Sequence, residues 1–176
     1  MAKNKIINVN IIIDTTRLMR DFKSPSKDQN NPTGIGHNYQ YMVVSEGTNI
    51  NGQGTGDLSF TAVQGDVVRF YAVSEYNNYD NPVILYNLFK FGGVDVFNNP
   101  NFELQQFSNV STVAPKTFNP LTLQSGVTQN FWFAQNTVNQ KGTENYGLRF
   151  ALYNYDDSNN LILYGYFAWD PTIIAK

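Results

Sequence analysis

Residues 5 to 14, KIINVNIIID, place Val9 and Ile11 on one side and Asn8 and Asn10 on the other, the period of two expected of a half-buried β-strand. TTRLMRDF follows and predicts one helical turn capped by Thr15 or Thr16. KSPSKDQNNPTGIG, with two Pro and two Gly among polar residues, predicts a long surface loop. A second strand is expected from Asn38 in NYQYMVVSE. DLSFTAV and VVRFYAVS alternate on either side of the short QGD turn at 64 to 66, which predicts a hairpin. EYNNYDNP reads as a loop and VILYNLFKF as a nearly continuous apolar strand. Residues 94 to 127 are the least periodic, broken by Pro100, Pro115 and Pro120, and predict one or two irregular strands. TQNFWFAQNTV gives another strand and KGTEN a turn. YGLRFALYNYD and LILYGYFAWDP, joined by DSNN, form the clearest hairpin in the chain. The total is about eight strands with at most short helical turns. The expected fold class is all-β: one antiparallel, jelly-roll-like β-sandwich domain over residues 1 to 176.

Composition sharpens this picture. Charged residues make up only 15% of the chain and aromatics another 15%, while Asn occupies 24 positions, so the expected surface is neutral and amide-rich. The net charge of −2, without long runs of either sign, argues against nucleic-acid binding by electrostatics. With no cysteine there is no disulfide framework and no thiolate chemistry. The start, MAKNKIINVNIIIDTT, has Asn8 and Asn10 inside its apolar stretch and no small-residue cleavage site, so it reads as a first strand rather than a signal peptide. No apolar run approaches the roughly 20 residues needed to span a bilayer. The expectation is a soluble, cytoplasmic chain whose weak net charge favours association.

NINGQGTGDLSF, residues 49 to 60, raises a phosphate-binding question because Gly52, Gly54 and Gly56 fall so close together. A P-loop needs a Lys after its last glycine, and a dinucleotide loop needs to open a helix. Here there is no Lys, and the residues that follow alternate as a strand does. A glycine-rich turn or bulge between strands is the preferred reading.

Candidate chemistry is sparse. His37 is the only histidine, whereas a zinc or cupin-like site needs two or three converging on the metal. Its expected role is structural, within a tight turn that Gly34 and Gly36 permit, with the imidazole bonded to nearby backbone. Asp80, Asp156, Asp157 and Asp170, with Asn77, Asn78, Asn81, Asn154 and Asn159, could offer oxygen ligands to calcium, but these residue types are also the favoured turn formers. Turns are preferred because no calcium-loop spacing occurs. Tyr76, Tyr79, Tyr155, Trp132 and Trp169 could form a sugar-binding face, and Tyr76, Tyr79, Asp80, Tyr155 and Asp156 are the candidate ligand residues. Against this, NFWF, LYNY and YGYF put aromatics on both strand faces, as core packing does. Trp169, Asp170 and Pro171 end the last strand, with Pro171 stopping the ladder and Trp169 plugging the sandwich end. Glu103 and Glu144 are isolated, and adjacent Asp156 and Asp157 would point to opposite faces of a strand, so no acid–base pair is formed. No catalytic residue, cofactor or metal is implied.

Six ordered motifs carry a family resemblance: INVNIIIDT near the start, NPTGIGHNYQYMV (31 to 43), GQGTGDL (52 to 58), GDVVRFYAVS (65 to 74), KGTENYGLRFALY (141 to 153) and LYGYFAWDPTI (163 to 173). Together they resemble the bacterial PixA/AidA inclusion-body protein family over about residues 6 to 174, with 94 to 127 matching least. The resemblance implies a non-enzymatic, single-domain β-sandwich whose relatives include the subunit of crystalline cytoplasmic inclusions. The Met-rich inclusion protein is a poorer parallel, since this chain has only Met1, Met19 and Met42. The structural signature is carried by Gly34, His37, Gly52, Gly54, Trp169, Asp170 and Pro171. The leading expectation is a self-associating protein forming a homo-oligomer or lattice. The alternative is a carbohydrate- or small-ligand-binding β-sandwich module.

Overall fold

The alternation of INVNIII becomes strand β1 (Ile6–Ile13) in the computed structural model, which describes residues 4–44, 50–98, 100–118 and 121–175. Ile7, Val9, Ile11 and Ile13 point inward and their neighbours outward. Helix α1 (Thr15–Asp21) follows, and then strands β2 (Thr33–Gly34), β3 (Gln40–Val44), β4 (Leu58–Phe60), β5 (Val67–Ser74) and β6 (Val83–Gly93). The long pair β7 (Asn101–Phe118) and β8 (Leu121–Thr137) leads to β9 (Gly142–Tyr155), β10 (Leu161–Trp169) and β11 (Thr172–Ala175). Ser45 and Glu46 at the end of NYQYMVVSE, Asn49 at the start of NINGQGTGDLSF and Pro120 within 94 to 127 lie outside the described residues.

From β1 to β6 the chain changes sheet at every connection. One sheet has the order β3-β1-β5-β8-β7; the other is built on β9, with β6 on one side and β10 and β11 on the other, flanked by β2 and β4. This alternation corrects the expected antiparallel, eight-stranded arrangement. There are eleven strands among the described residues, and β1–β5, β10–β2 and β11–β4 are parallel. A crossing through the other sheet lets a strand return in either direction, antiparallel for β3 on β1 and parallel for β5 on β1, whereas a local hairpin can only be antiparallel.

The predicted QGD hairpin fails for the same reason. The turn exists, with Gly65 at φ 94°, but its two strands belong to different sheets. Asp66 is buried there and accepts from Lys5 N and Val63 N at 2.9 Å each, fixing the crossing. KGTEN likewise carries the chain between sheets and largely joins β9. The helix cap is Asp14, whose carboxylate accepts from Arg17 N at 2.9 Å, rather than Thr15 or Thr16. Thr15 and Thr16 instead donate their amides to the Glu75 carboxylate at 2.8 Å each. The weakly periodic region holds the longest strand, β7, whose register with β8 shifts beyond Phe107. Those shifts erase the period that a sequence reading needs.

Both sheets contribute to one apolar cluster, from Ile11, Phe60 and Phe70 to Phe150, Phe167 and Ile173. Phe150 stacks on Phe167 at 5.5 Å between ring centres and meets Trp169 edge-on at 6.0 Å. Phe150→Ala is expected to cost about 3–5 kcal/mol, since the packed rings of Phe167 and Trp169 cannot collapse into the space. Urea unfolding monitored by Trp fluorescence should show the midpoint fall with the slope unchanged.

Candidate functional site

The sheet built on β9 contains a designed interruption. Strands β10 and β11 run along the same side of β9, and two residues on each side separate the pair Trp169↔Leu148 from Thr172↔Asn145, so register is kept across the break. Asp170 and Pro171 fill the interval. Pro171 has no N–H to give outward, yet its carbonyl still accepts from Tyr146 N at 3.1 Å, holding the inner ladder together. On the outer side β2 pairs with Phe167 and Ala168, and β4 pairs with Ile173 to Ala175, leaving a gap between two short edge strands.

His37 and Asp57 close this gap. His37 lies just beyond β2 and Asp57 just before β4. The His37 ring meets Asp57 Oδ2 through Nδ1 at 2.8 Å and Asp170 Oδ1 through Nε2 at 3.1 Å. The other oxygen of Asp57 accepts from Thr172 N, the first amide of β11, at 2.8 Å. Two carboxylate oxygens can only accept, so both ring nitrogens must donate and the geometry fits the imidazolium. Burial pulls the His37 pKa down, but the hydrogen bonds and charges of Asp57 and Asp170 outweigh it and leave the pKa raised. A ring whose two nitrogens are both committed to carboxylates acts as an electrostatic clamp.

The glycine-rich stretch serves this clamp and one sheet edge. Gly52 and Gly54 have φ of 81° and 73°, values that favour glycine. A Cβ on Gly56 would lie 2.6 Å from the His37 carbonyl oxygen, so only glycine lets the loop close over the histidine. The same loop lies along β3. Met42 N donates to Thr55 O at 2.9 Å, Gly54 N donates to Met42 O at 2.8 Å, and the Gln53 side-chain amide both accepts from Val44 N and donates to Val44 O. The Gln53 amide thus stands in for a missing strand.

Of the signature residues, Gly34, His37, Trp169, Asp170 and Pro171 meet at the break, and Gly52 and Gly54 shape the loop that brings in Asp57. The imidazole bonds carboxylates rather than the backbone expected from sequence. Asp57 was visible only as the acid after the glycines, with no signal for its partner 115 residues away. The ligand candidates fall on two turns. Tyr76 and Tyr79 lie after β5, with the Tyr76 hydroxyl 3.2 Å from Thr16 Oγ1 and Tyr79 exposed. Asp80 caps Asn81 N at 2.9 Å. Tyr155 ends β9 and Asp156 follows it, where the Asp156 carboxylate accepts from Ser158 N, Asn160 N and Asn160 Nδ2, bonds that lower its pKa. Asn77, Asn78, Asn81 and Asn159 all have positive φ, the conformation of turn residues. Trp132 donates its indole N–H to Leu85 O at 2.7 Å, and Trp169 is buried in the core. Glu144 is also buried; desolvation raises its pKa against the amide of Phe97, which it accepts at 2.8 Å.

Because the folded-state pKa of His37 lies above its unfolded value near 6.5, the clamp contributes fully below that pH and is lost as pH rises through the folded value. The thermal midpoint of the native chain should therefore fall as pH rises from 6 towards 8. His37→Gln should flatten that slope, which differential scanning calorimetry across the pH series would register.

Comparison with known proteins completes the description. The family model described as PixA, inclusion body protein, matches residues 5–174. The crystal structure of an inclusion body protein (PixA) from Burkholderia cenocepacia J2315 superposes with a TM-score of 0.85 at 23% identity, covering 99% of this chain and 98% of that one. At that identity the likeness shows the fold. A search of curated proteins returns no match. With all but the extreme termini inside the match, the chain belongs to the PixA inclusion body protein family.

Proposed function

We propose that this protein is a non-enzymatic, self-associating inclusion-type protein of the cytoplasm, working through its outer surface. The observation that carries this reading, beside the family, is the outward face of the five-stranded sheet. Ile12 lies opposite Tyr41 and Asn10 opposite Val43, and Ile12, Tyr41 and Val43 are 38%, 37% and 40% exposed. Tyr71 and Phe131, 6.0 Å apart, continue this apolar surface, and Phe107 lies 5.2 Å beyond. A face rich in apolar side chains, with Asn10 set between Val43 and Tyr71, is a surface for association on a weakly charged protein.

A second reading, a glycan- or small-ligand-binding module, has one observation in its favour. A groove of about 380 Å³ beside the clamp is lined by Ile35, Phe89, Phe91 and Trp169, with Asp170 among its polar groups. Its size falls in the range of small-molecule sites.

Sedimentation velocity over a concentration series should give a mass well above the 19.9 kDa of one chain. Electron microscopy of cells expressing the protein should show particles. A single-chain mass at high concentration together with particle-free cells would overturn the proposal. Glycan-array binding that perturbs the Trp169 indole resonance, with no rise in mass, would select the second reading.

A further inference from the structure

The five-stranded sheet has two edges treated in opposite ways. At β3 the glycine-rich loop and the Gln53 amide cover the backbone groups of Met42 and Val44. At the other end β7 is the last strand, with no strand beyond it among the described residues. Nor is the ribbon that β7 forms with β8 supported along its length, because β5 pairs with β8 only from Ala134 to Thr137. β7 from Leu104 to Phe118 and β8 from Leu121 to Asn130 therefore form a two-stranded ribbon extending past the rest of the sheet.

Such a ribbon is marginal in water, where a third strand or a packed face is needed. Exposed edges are ordinarily blunted by charge. Here Glu103 and Lys116 are the only charged residues from Asn101 to Gln140. Leu104 and Phe107 are 62% and 50% exposed, and Leu123 and Val127 are exposed as well. The register of Asn101–Phe107 with Gln129–Gln135 is unbroken, so the part of β7 nearest the sheet is a regular, open edge.

We propose that the β7–β8 ribbon is the contact through which two copies of this chain associate, with the open edge of β7 pairing antiparallel to β7 of the second copy. This inference rests on the self-association reading and locates it. A ribbon this poor in charge gives a charged partner little to recognise, whereas an antiparallel edge is complementary to its own copy turned about a two-fold axis. With the β3 edge covered, pairing through β7 closes on itself as a two-fold contact.

The test uses the full chain. Phe107→Lys combined with Val127→Lys places charges on two exposed ribbon positions, and an unchanged thermal midpoint verifies the fold. The expected result is a rise of about tenfold or more in the dissociation constant measured by sedimentation. Because the chain lacks cysteine, single substitutions Leu104→Cys, Gln106→Cys and Ser108→Cys report strand adjacency directly. An intermolecular disulfide forming at one of the three and weakening on either side supports β7–β7 pairing. If the native chain is a single copy, the self-association reading itself fails. If it associates and the lysine variant associates equally well, that reading stands and the ribbon is excluded as its contact. Weakened association without any disulfide overturns the β7 pairing.

Discussion

Every backbone amide and carbonyl removed from water must find a partner, and in a two-sheet protein the groups at risk lie at strand edges, breaks and crossings. This chain meets that demand with few ionised side chains. Asp57 receives the first amide of β11, Asp66 receives the amides of Lys5 and Val63, Glu75 those of Thr15 and Thr16, and Glu144 that of Phe97. These carboxylates are spent on main-chain geometry. The same demand accounts for the Gln53 amide on β3 and for His37 across the gap between β2 and β4. The clamp at His37 and the loop over β3 are one device, because the glycines that let the loop lie on β3 also deliver Asp57.

Much of the fold was legible because it depends on local pattern. The period of two in β1 and the DSNN hairpin of β9 and β10 follow from side-chain alternation and turn chemistry, which neighbouring residues decide. The parallel pairings of β1 with β5 and β11 with β4 were not legible, since nothing in VVRFYAVS or LSF states which distant strand lies beside it. Long connections between sheets leave no mark on composition. β7 escaped for another reason: bulges beyond Phe107 shift its faces and break the alternation.

The site was half legible. Gly34, His37 and the Trp169-Asp170-Pro171 signature were singled out, and the glycine stretch was read as a turn rather than a phosphate cradle, in keeping with the positive φ of Gly52 and Gly54. What joins them, His37 between Asp57 and Asp170, depends on side chains far apart in sequence. The charge-poor run from Leu104 to Gln140 was countable from the start. It gained meaning only when those residues proved to be an edge.

Among the described residues β4 meets Asn51 through an isolated bridge at Ser59, but the strand it pairs with is β11, more than a hundred residues later in the chain. During synthesis, therefore, Leu58 to Phe60 wait without their neighbour until residues 172–175 have left the ribosome. The β7–β8 ribbon is local and can form long before that moment. Nascent chains thus display their charge-poor ribbon while the sheet on β9 is still open.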